Sequence, residues 1–191
     1  LQVMNTLQPG LCVLGTRLPG CFNVFEMSVR AVLGQQITVK AASTLAARLV
    51  AVYGTQVQTG IEGLTHSFPA PAAILALGEN ISEHLGKLGI ISARANTIYQ
   101  LARVLADEKN DFGFCGNPEE EMQKLQSIRG IGSWTAQYIA MRAMGWPDAF
   151  LPTDAGIKKA LPDHTPKELQ ALSEAWRPWR SYATVNLWNT L

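Results

Sequence analysis

Apolar residues recur at helical spacing along almost the whole chain, so that each run presents one apolar face. In the first clear run, Phe25, Val29 and Val32 fall on the same face. Strand-type alternation is limited to Val57 and its neighbours. We therefore expect an all-α fold of about ten short helices. The predicted helices include residues 24–34, 39–53, 70–77, 82–88, 92–107, 118–127, 134–144, 155–161 and 179–191.

Three predicted helices begin with capping signals. Residues 117–120, Asn-Pro-Glu-Glu, combine a cap residue, a proline at the first helical position and acids in the first turn. Thr165 and Glu168 have the spacing of a capping box. Ser92 is expected to be the N-cap of the long helix that follows it.

Two glycines join the helices at 118–127 and 134–144. Gly130 and Gly132 flank one apolar residue and directly precede the second helix. Glycine lets the backbone turn tightly and approach a large partner, and the start of a helix offers N–H groups to an anion. We interpret residues 118–145 as a helix-hairpin-helix whose turn, with Ser133, binds a DNA phosphate without reading its sequence. The alternative is a purely structural corner.

The same turn has carbonyl groups that could bind a cation. We expect the backbone carbonyls of Gln126, Ile128 and Gly130 to be the ligands of a monovalent cation, Na⁺ or K⁺, that bridges to the phosphate. No other cofactor is expected to be required.

A lone carboxylate, Asp154, follows the apolar residues Phe150 and Leu151. A single acid beside a pocket can stabilise an oxocarbenium-like sugar and orient a water molecule. The alternative is that Asp154 is only the N-cap of the short helix at 155–161. On spacing alone, both interpretations stay open.

Aromatic residues accompany this carboxylate. Trp134 and Tyr138 are four positions apart and share a helix face, and Trp188 is another of the five tryptophans. A pocket lined by such rings suits a planar, electron-poor base. The alternative is ordinary packing of these aromatic residues in the core.

Composition excludes several classes of protein. The chain has 191 residues, of which 47% are hydrophobic and 16% charged, which is typical of a folded protein. No apolar run approaches the roughly 20 residues of a membrane helix, so no membrane association is expected. Three widely spaced cysteines exclude a disulfide framework and a four-cysteine cluster within this chain, and they favour a reducing cytoplasm. His66, His84 and His164 are isolated and are expected at the surface.

Charge gives weak support for binding to nucleic acid. The net charge is only +1, although residues 128–191 carry seven Lys and Arg against five Asp and Glu. Contacts with DNA would therefore depend on backbone donors and a few placed basic side chains.

Taken together, these motifs resemble the helix-hairpin-helix DNA glycosylase superfamily, and within it most closely the AlkA-type 3-methyladenine DNA glycosylases. The resemblance covers nearly the whole chain from residue 18 onward. It implies two helical lobes that flank a cleft. The segments that carry it are 18–21 (Leu-Pro-Gly-Cys), 30–36 (Arg-Ala-Val-Leu-Gly-Gln-Gln), 130–136 (Gly-Ile-Gly-Ser-Trp-Thr-Ala), 150–154 (Phe-Leu-Pro-Thr-Asp) and 176–183 (Trp-Arg-Pro-Trp-Arg-Ser-Tyr-Ala).

The resemblance assigns roles to the residues of the candidate site. It implies that the protein flips out and hydrolytically excises alkylated bases such as 3-methyladenine from double-stranded DNA. Asp154 matches the catalytic aspartate, and Trp134, Tyr138 and Trp188 match the aromatic base pocket. Bifunctional relatives have a lysine nucleophile where this chain has Trp134, so no lyase step is expected.

The resemblance also places Gln35 and Gln36 at the DNA. Gln36 takes the position of a leucine that enters the gap left by the flipped base, and a glutamine there can fill the gap and hydrogen-bond the orphan base. The similar enzymes have a small α/β domain before the helical part. We therefore expect residues 1–17 to be a linker or the end of such an upstream domain, residues 18–191 to be the glycosylase domain, and the protein to be a monomer.

Two alternatives are kept. The chain could be a catalytically inert DNA-binding module built on the same hairpin, in which Asp154 only caps a helix. It could also be a glycosylase for other damaged bases. Trp134 in place of lysine argues against the bifunctional enzymes that act on oxidised guanine, and the absence of four clustered cysteines argues against the iron–sulfur branch of the superfamily.

Overall fold

The computed structural model of the protein describes Asn5 and residues 10–106 and 117–191. These residues form ten α-helices, two short 3₁₀ segments and one two-stranded ribbon, as the periodicity predicted. The helices are α1 (Val24–Leu33), α2 (Val39–Tyr53), α3 (Pro71–Leu75), α4 (Ile81–Gly86), α5 (Ser92–Leu105), α6 (Pro118–Ser127), α7 (Ser133–Arg142), α8 (Ala155–Ala160), α9 (Pro166–Ser173) and α10 (Arg180–Trp188).

The chain divides into two compact units. The first unit contains α7 to α10, the described residues before Asn23 and the first part of α6. The second unit contains α1 to α5, the end of α6 from Lys124 onward and the turn up to Ile131. The two units agree in number with the two predicted lobes.

In the second unit, side-chain caps fix the starts of α1 and α2. The side chain of Asn23 accepts a hydrogen bond from the N–H of Glu26 at the start of α1, and Thr38 caps α2 by accepting from Ala41. The predicted inward face of α1 is correct, because Phe25, Val29, Val32 and Leu33 are all buried.

The predicted cap of α5 is wrong. Ser92 is already the first helical residue, and the N-cap is Ile91, which has an extended backbone and no capping side chain. Ile90, directly before it, is fully buried. Because the chain enters the helix one residue earlier than the serine signal indicated, the Ser92 side chain does not cap the helix.

A short antiparallel ribbon accounts for the strand signal near Val57. Strands β1 (Thr55–Gln56) and β2 (His66–Ser67) pair with Thr55 opposite Ser67. The N–H of Val57 extends the pairing by donating to the carbonyl of Thr65 at 2.9 Å.

The core of the first unit surrounds two aromatic side chains. Phe150 and Trp176 meet edge to face with ring centroids 5.8 Å apart. Leu11 and Cys12 are buried in the same cluster, so this part of the predicted 1–17 segment packs within the unit. The domain boundary after residue 17 stays a prediction.

A buried ion network holds the segment 176–183. The Arg180 guanidinium donates to both carboxylate oxygens of Asp148, at 2.8 and 3.0 Å, and both residues are nearly inaccessible, at 4% and 6% exposed. Arg177 donates to the same carboxylate at 2.6 Å and to Glu174 at 2.7 Å. Bidentate, charge-assisted pairing of this kind fixes side-chain geometry. The segment 176–183, one of those that carry the family resemblance, therefore takes part in a structural network that leads into α10.

Candidate active site

Asp154 lies at the start of α8, where its backbone is extended and its side chain caps the helix. Its Oδ1 atom accepts hydrogen bonds from the N–H groups of Gly156 at 2.8 Å and Ile157 at 3.1 Å. The capping interpretation thus describes the local geometry correctly. It does not account for the remaining contacts of this carboxylate.

Two tryptophan side chains also donate to Asp154. The indole Nε1 of Trp134, on α7, donates to Oδ2 at 3.1 Å, and that of Trp188, at the end of α10, donates to Oδ1 at 2.8 Å. Two residues from distant parts of the sequence therefore converge on one acid, which a helix cap alone does not require.

These contacts leave the two carboxylate oxygens unequal. Among the described residues, Oδ1 accepts three hydrogen bonds and Oδ2 accepts one. All four donors are N–H groups, which suit an ionised carboxylate as the acceptor. Asp154 is only half-buried. Oδ2 thus has more lone-pair capacity left for a water molecule or a reacting group.

The predicted aromatic residues assemble beside this acid. The Trp134 and Tyr138 rings are stacked, with centroids 5.2 Å apart and planes 9° from parallel. Tyr138 and Trp188 are 6.3 Å apart at 46°. All three are half-buried and pack against the core of the first unit. Packing and a pocket role are therefore compatible here, because each ring is partly covered and partly accessible.

Gly156 permits the contact between Trp188 and Asp154. A Cβ atom built on Gly156 would lie 2.7 Å from Cδ1 and 2.9 Å from Nε1 of the Trp188 indole, and 3.0 Å from Asp154 Oδ1. Any side chain at this position would displace the indole or the carboxylate. Gly156 is not among the predicted site residues, although a glycine inside a short predicted helix is a signal of such a close approach.

The two hairpin glycines have different roles. Gly130 has φ of +96°, and a Cβ there would collide with the Thr97 hydroxyl, so the fold itself requires glycine. Gly132 has an extended backbone, and a Cβ there would meet nothing within 4 Å. The open space at Gly132 is what the close approach of an external group needs.

Helix α7 begins without a side-chain cap. Its N-cap is Gly132, whereas α8 and α9 are capped by Asp154 and Thr165. Ser133, the first residue of α7, is exposed. An exposed helix start without a side-chain cap can offer its N–H groups to an anion, but α3, α4, α5 and α10 also lack such caps, so phosphate binding here stays a prediction.

The structure brings Gln35 to the hairpin. Its side-chain amide Nε2 donates to the backbone carbonyl of Gly130 at 2.9 Å. The backbone carbonyl of Gln35 accepts a hydrogen bond from the guanidinium of Arg94 on α5. Gln36 is exposed and has φ of +55°, the left-handed region that residues other than glycine rarely adopt.

The carbonyls predicted to bind a cation are partly engaged. The Gly130 carbonyl accepts from Gln35, and the Ile128 carbonyl accepts from the N–H of Ile131 at 3.0 Å. Gln126 is exposed at the end of α6. Neutral carbonyl oxygens suit Na⁺ or K⁺. Of the three predicted ligands, however, the carbonyls of Ile128 and Gly130 already accept a hydrogen bond each. The cation therefore stays a prediction.

Other kinds of site find no support in the described part of the chain. Residues 10–106 and 117–191 contain no group of three or more His, Cys, Asp and Glu side chains placed to bind a metal ion. His164 is exposed, and the half-buried His84 lies 3.3 Å from the hydroxyl of Tyr53. None of the helices in these ranges is long and apolar enough to span a membrane.

Comparison with known proteins gives a consistent picture. Residues 29–179 match the HhH-GPD superfamily of base excision DNA repair proteins. The chain is 38% identical over 176 residues to DNA-3-methyladenine glycosylase 2 of Escherichia coli, covering 92% of this chain and 61% of that protein. It is 41% identical over 181 residues to a probable bifunctional transcriptional activator/DNA repair enzyme AlkA of Mycobacterium tuberculosis, covering 93% and 35%.

A solved structure extends the similarity to the fold. The 3-methyladenine DNA glycosylase from Archaeoglobus fulgidus superposes with a TM-score of 0.76 at 26% identity, covering 89% of this chain and 58% of that one. The chain thus spans about three fifths or less of the length of each of these relatives.

Proposed function

Since the chain belongs to the HhH-GPD superfamily of base excision DNA repair proteins, we propose that it is a DNA glycosylase that hydrolytically excises alkylated bases such as 3-methyladenine from double-stranded DNA. The observation that carries this proposal is the Asp154 carboxylate held by the indoles of Trp134 and Trp188 beside the ring of Tyr138. It unites an acid and an aromatic surface in a single unit of the protein.

The aromatic residues select the base. An N-alkylated purine carries positive charge, and electron-rich ring faces attract a cation that lies over them. A duplex must first release the base from its stack, as glycosylases do by rotating the nucleotide outward. The faces of Trp134, Tyr138 and Trp188 then stabilise the extruded cationic base.

Asp154 acts on the sugar. The electron pair of the glycosidic bond leaves with the base, which thereby becomes neutral and needs no strong general acid. The negative charge of Asp154 stabilises the oxocarbenium-like sugar. Water forms the new bond to the anomeric carbon and gives up a proton, for which Oδ2 is the oxygen with spare acceptor capacity.

The protein grips DNA through backbone groups more than through charge. The uncapped start of α7, with Gly132 and Ser133, binds a phosphate, and the exposed Gln36 enters the duplex. A net charge of +1 matches a small number of such contacts. We further propose a monomer that works in the cytoplasm.

Base release from methylated duplex DNA tests the function. Chromatography of the supernatant should show free 3-methyladenine and 7-methylguanine in the presence of the protein and none from unmethylated DNA. The treated strand should break only after alkali, since no lysine is present at the Trp134 position to form an imine. Binding of damaged DNA without any base release would instead identify an inert module, and strand breakage without alkali would contradict the monofunctional mechanism.

A further inference from the structure

The turn between α1 and α2 holds an exposed glutamine in an unfavourable backbone conformation. Gln36 has φ of +55° and its side chain is exposed. A residue other than glycine stays in this region only when its surroundings hold it there, and such residues cluster at functional positions. Gln36 therefore needs a structural support, and the neighbouring residue provides it.

Gln35 is tied to two other elements of the same unit. Its side-chain amide donates to the Gly130 carbonyl in the hairpin at 2.9 Å, and its backbone carbonyl accepts from the Arg94 guanidinium on α5. The side chain and the backbone of one residue thus connect the turn to both neighbours.

The hairpin is tied to α5 at the adjacent carbonyl. The hydroxyl of Thr97 donates to the carbonyl of Arg129 at 3.0 Å. The same threonine fills the space in which a Cβ of Gly130 would lie. Turn, hairpin and α5 are therefore joined by three side-chain donors that each satisfy a backbone carbonyl, and none of the three elements can shift without breaking one of these bonds.

We propose that Gln35 is a positioning residue for base extrusion, which holds Gln36 at a fixed place relative to the hairpin that grips the phosphate. This inference rests on the proposed function. Gln36 touches the DNA, whereas Gln35, which the resemblance also placed at the DNA, acts through Gln36 because its side-chain amide is bound to the Gly130 carbonyl. The Gln36 amide then enters the gap that the extruded base leaves.

The Gln35→Met variant tests this role, because methionine matches the length of glutamine and removes the donor without adding charge. We expect the single-turnover excision rate from a lesion in a fully paired duplex to fall by about tenfold or more. For a lesion opposite an abasic site the fall should be within about twofold, because the cost of unpairing is already removed. A general catalytic or folding defect would lower both rates alike.

Gln56→Met is the matched control. Gln56 is exposed on β1 in the same unit, and its replacement should leave both rates within about twofold of the parent. Gln36→Ala should reproduce the selective loss, and the double variant should be no worse than the single ones, since both act on one step.

The outcomes separate this inference from the proposed function. Equal rates for the parent and Gln35→Met on the paired lesion would overturn the positioning role alone, as would an equal loss on both substrates. Absence of base release by the parent would overturn the proposed function and, with it, this inference. If the melting temperature shows that Gln35→Met is unfolded, Arg94→Met removes the other tie and must show the same substrate-dependent loss, or the role is contradicted.

Discussion

At the scale of single residues, the Asp154 carboxylate caps α8 and also accepts hydrogen bonds from the indoles of Trp134 and Trp188. The local sequence around Asp154 is compatible with a helix cap and with a catalytic acid. Trp134 could be placed near Asp154 by motif. The donation from Trp188 depends on the packing of α10 against α8, which no local pattern records.

Gly156 gives the sharpest test of this arrangement. In Gly156→Ala, the added methyl group would stand 2.7 Å from the Trp188 ring, so the indole must move away from Asp154. A hydrogen bond to a charged group contributes about 1.5–3 kcal/mol, so we expect the excision rate to fall roughly ten- to hundredfold. Single-turnover kinetics on a defined lesion measures this.

Gly86→Ala is the control for that substitution. Gly86 is the last residue of α4, and a Cβ there meets nothing within 4 Å. This variant should keep the parent's rate and melting temperature. A Gly156→Ala protein as active as Gly86→Ala would show that the contact between Trp188 and Asp154 is dispensable.

At the scale of elements, the observed helix bounds agree with the predicted ones where a clear start or stop signal is present in the sequence. The bounds of α2 agree with the prediction, and the capping box of Thr165 and Glu168 forms as expected. The predicted helix at 134–144 instead ends at Arg142, because Gly145 turns with positive φ and Trp146 donates back to the Ala140 carbonyl. Local turns and backbone hydrogen bonds of this kind set the residue at which a helix ends, whereas the periodicity predicts only that a helix is present.

At the same scale, the role of the hairpin in binding DNA can be tested at Gly132. Gly132→Leu should fold normally, because the space beside Gly132 is open, yet it should weaken binding to damaged and undamaged duplexes alike, since phosphate contacts carry no sequence information. Fluorescence anisotropy with both duplexes measures this effect. A loss confined to damaged DNA would place the defect in the base pocket.

Gly130→Ala is the contrasting variant. Its positive φ alone costs an alanine roughly 1–2 kcal/mol, and the collision with Thr97 adds to that cost. We therefore expect a lower melting temperature in this variant and an unchanged one in Gly132→Leu. The reverse order would contradict the division of roles between the two glycines.

At the scale of the whole molecule, the sequence predicted the fold class but not the hydrogen bonds between residues that are distant in the chain. Helical periodicity and turn signals predicted a mainly helical chain, whose described part has ten helices, whereas the two lobes came from the family resemblance. The hydrogen bonds from Gln35 to Gly130 and from Thr97 to Arg129 were not predicted, because they join residues that are 95 and 32 positions apart in the sequence. The net charge of +1 likewise gives little signal of the proposed DNA binding, which would depend on backbone donors.

The most direct measurement compares Asp154→Asn with the parent in single-turnover excision of an alkylated base, together with affinity for the same duplex. Asparagine is also a good N-cap, so α8 stays capped and the fold is preserved. We expect unchanged DNA affinity and a rate lower by roughly a hundred- to thousandfold, because the charge that stabilises the sugar is lost. A variant that binds DNA and excises the base at the parent's rate would show that Asp154 is only a helix cap.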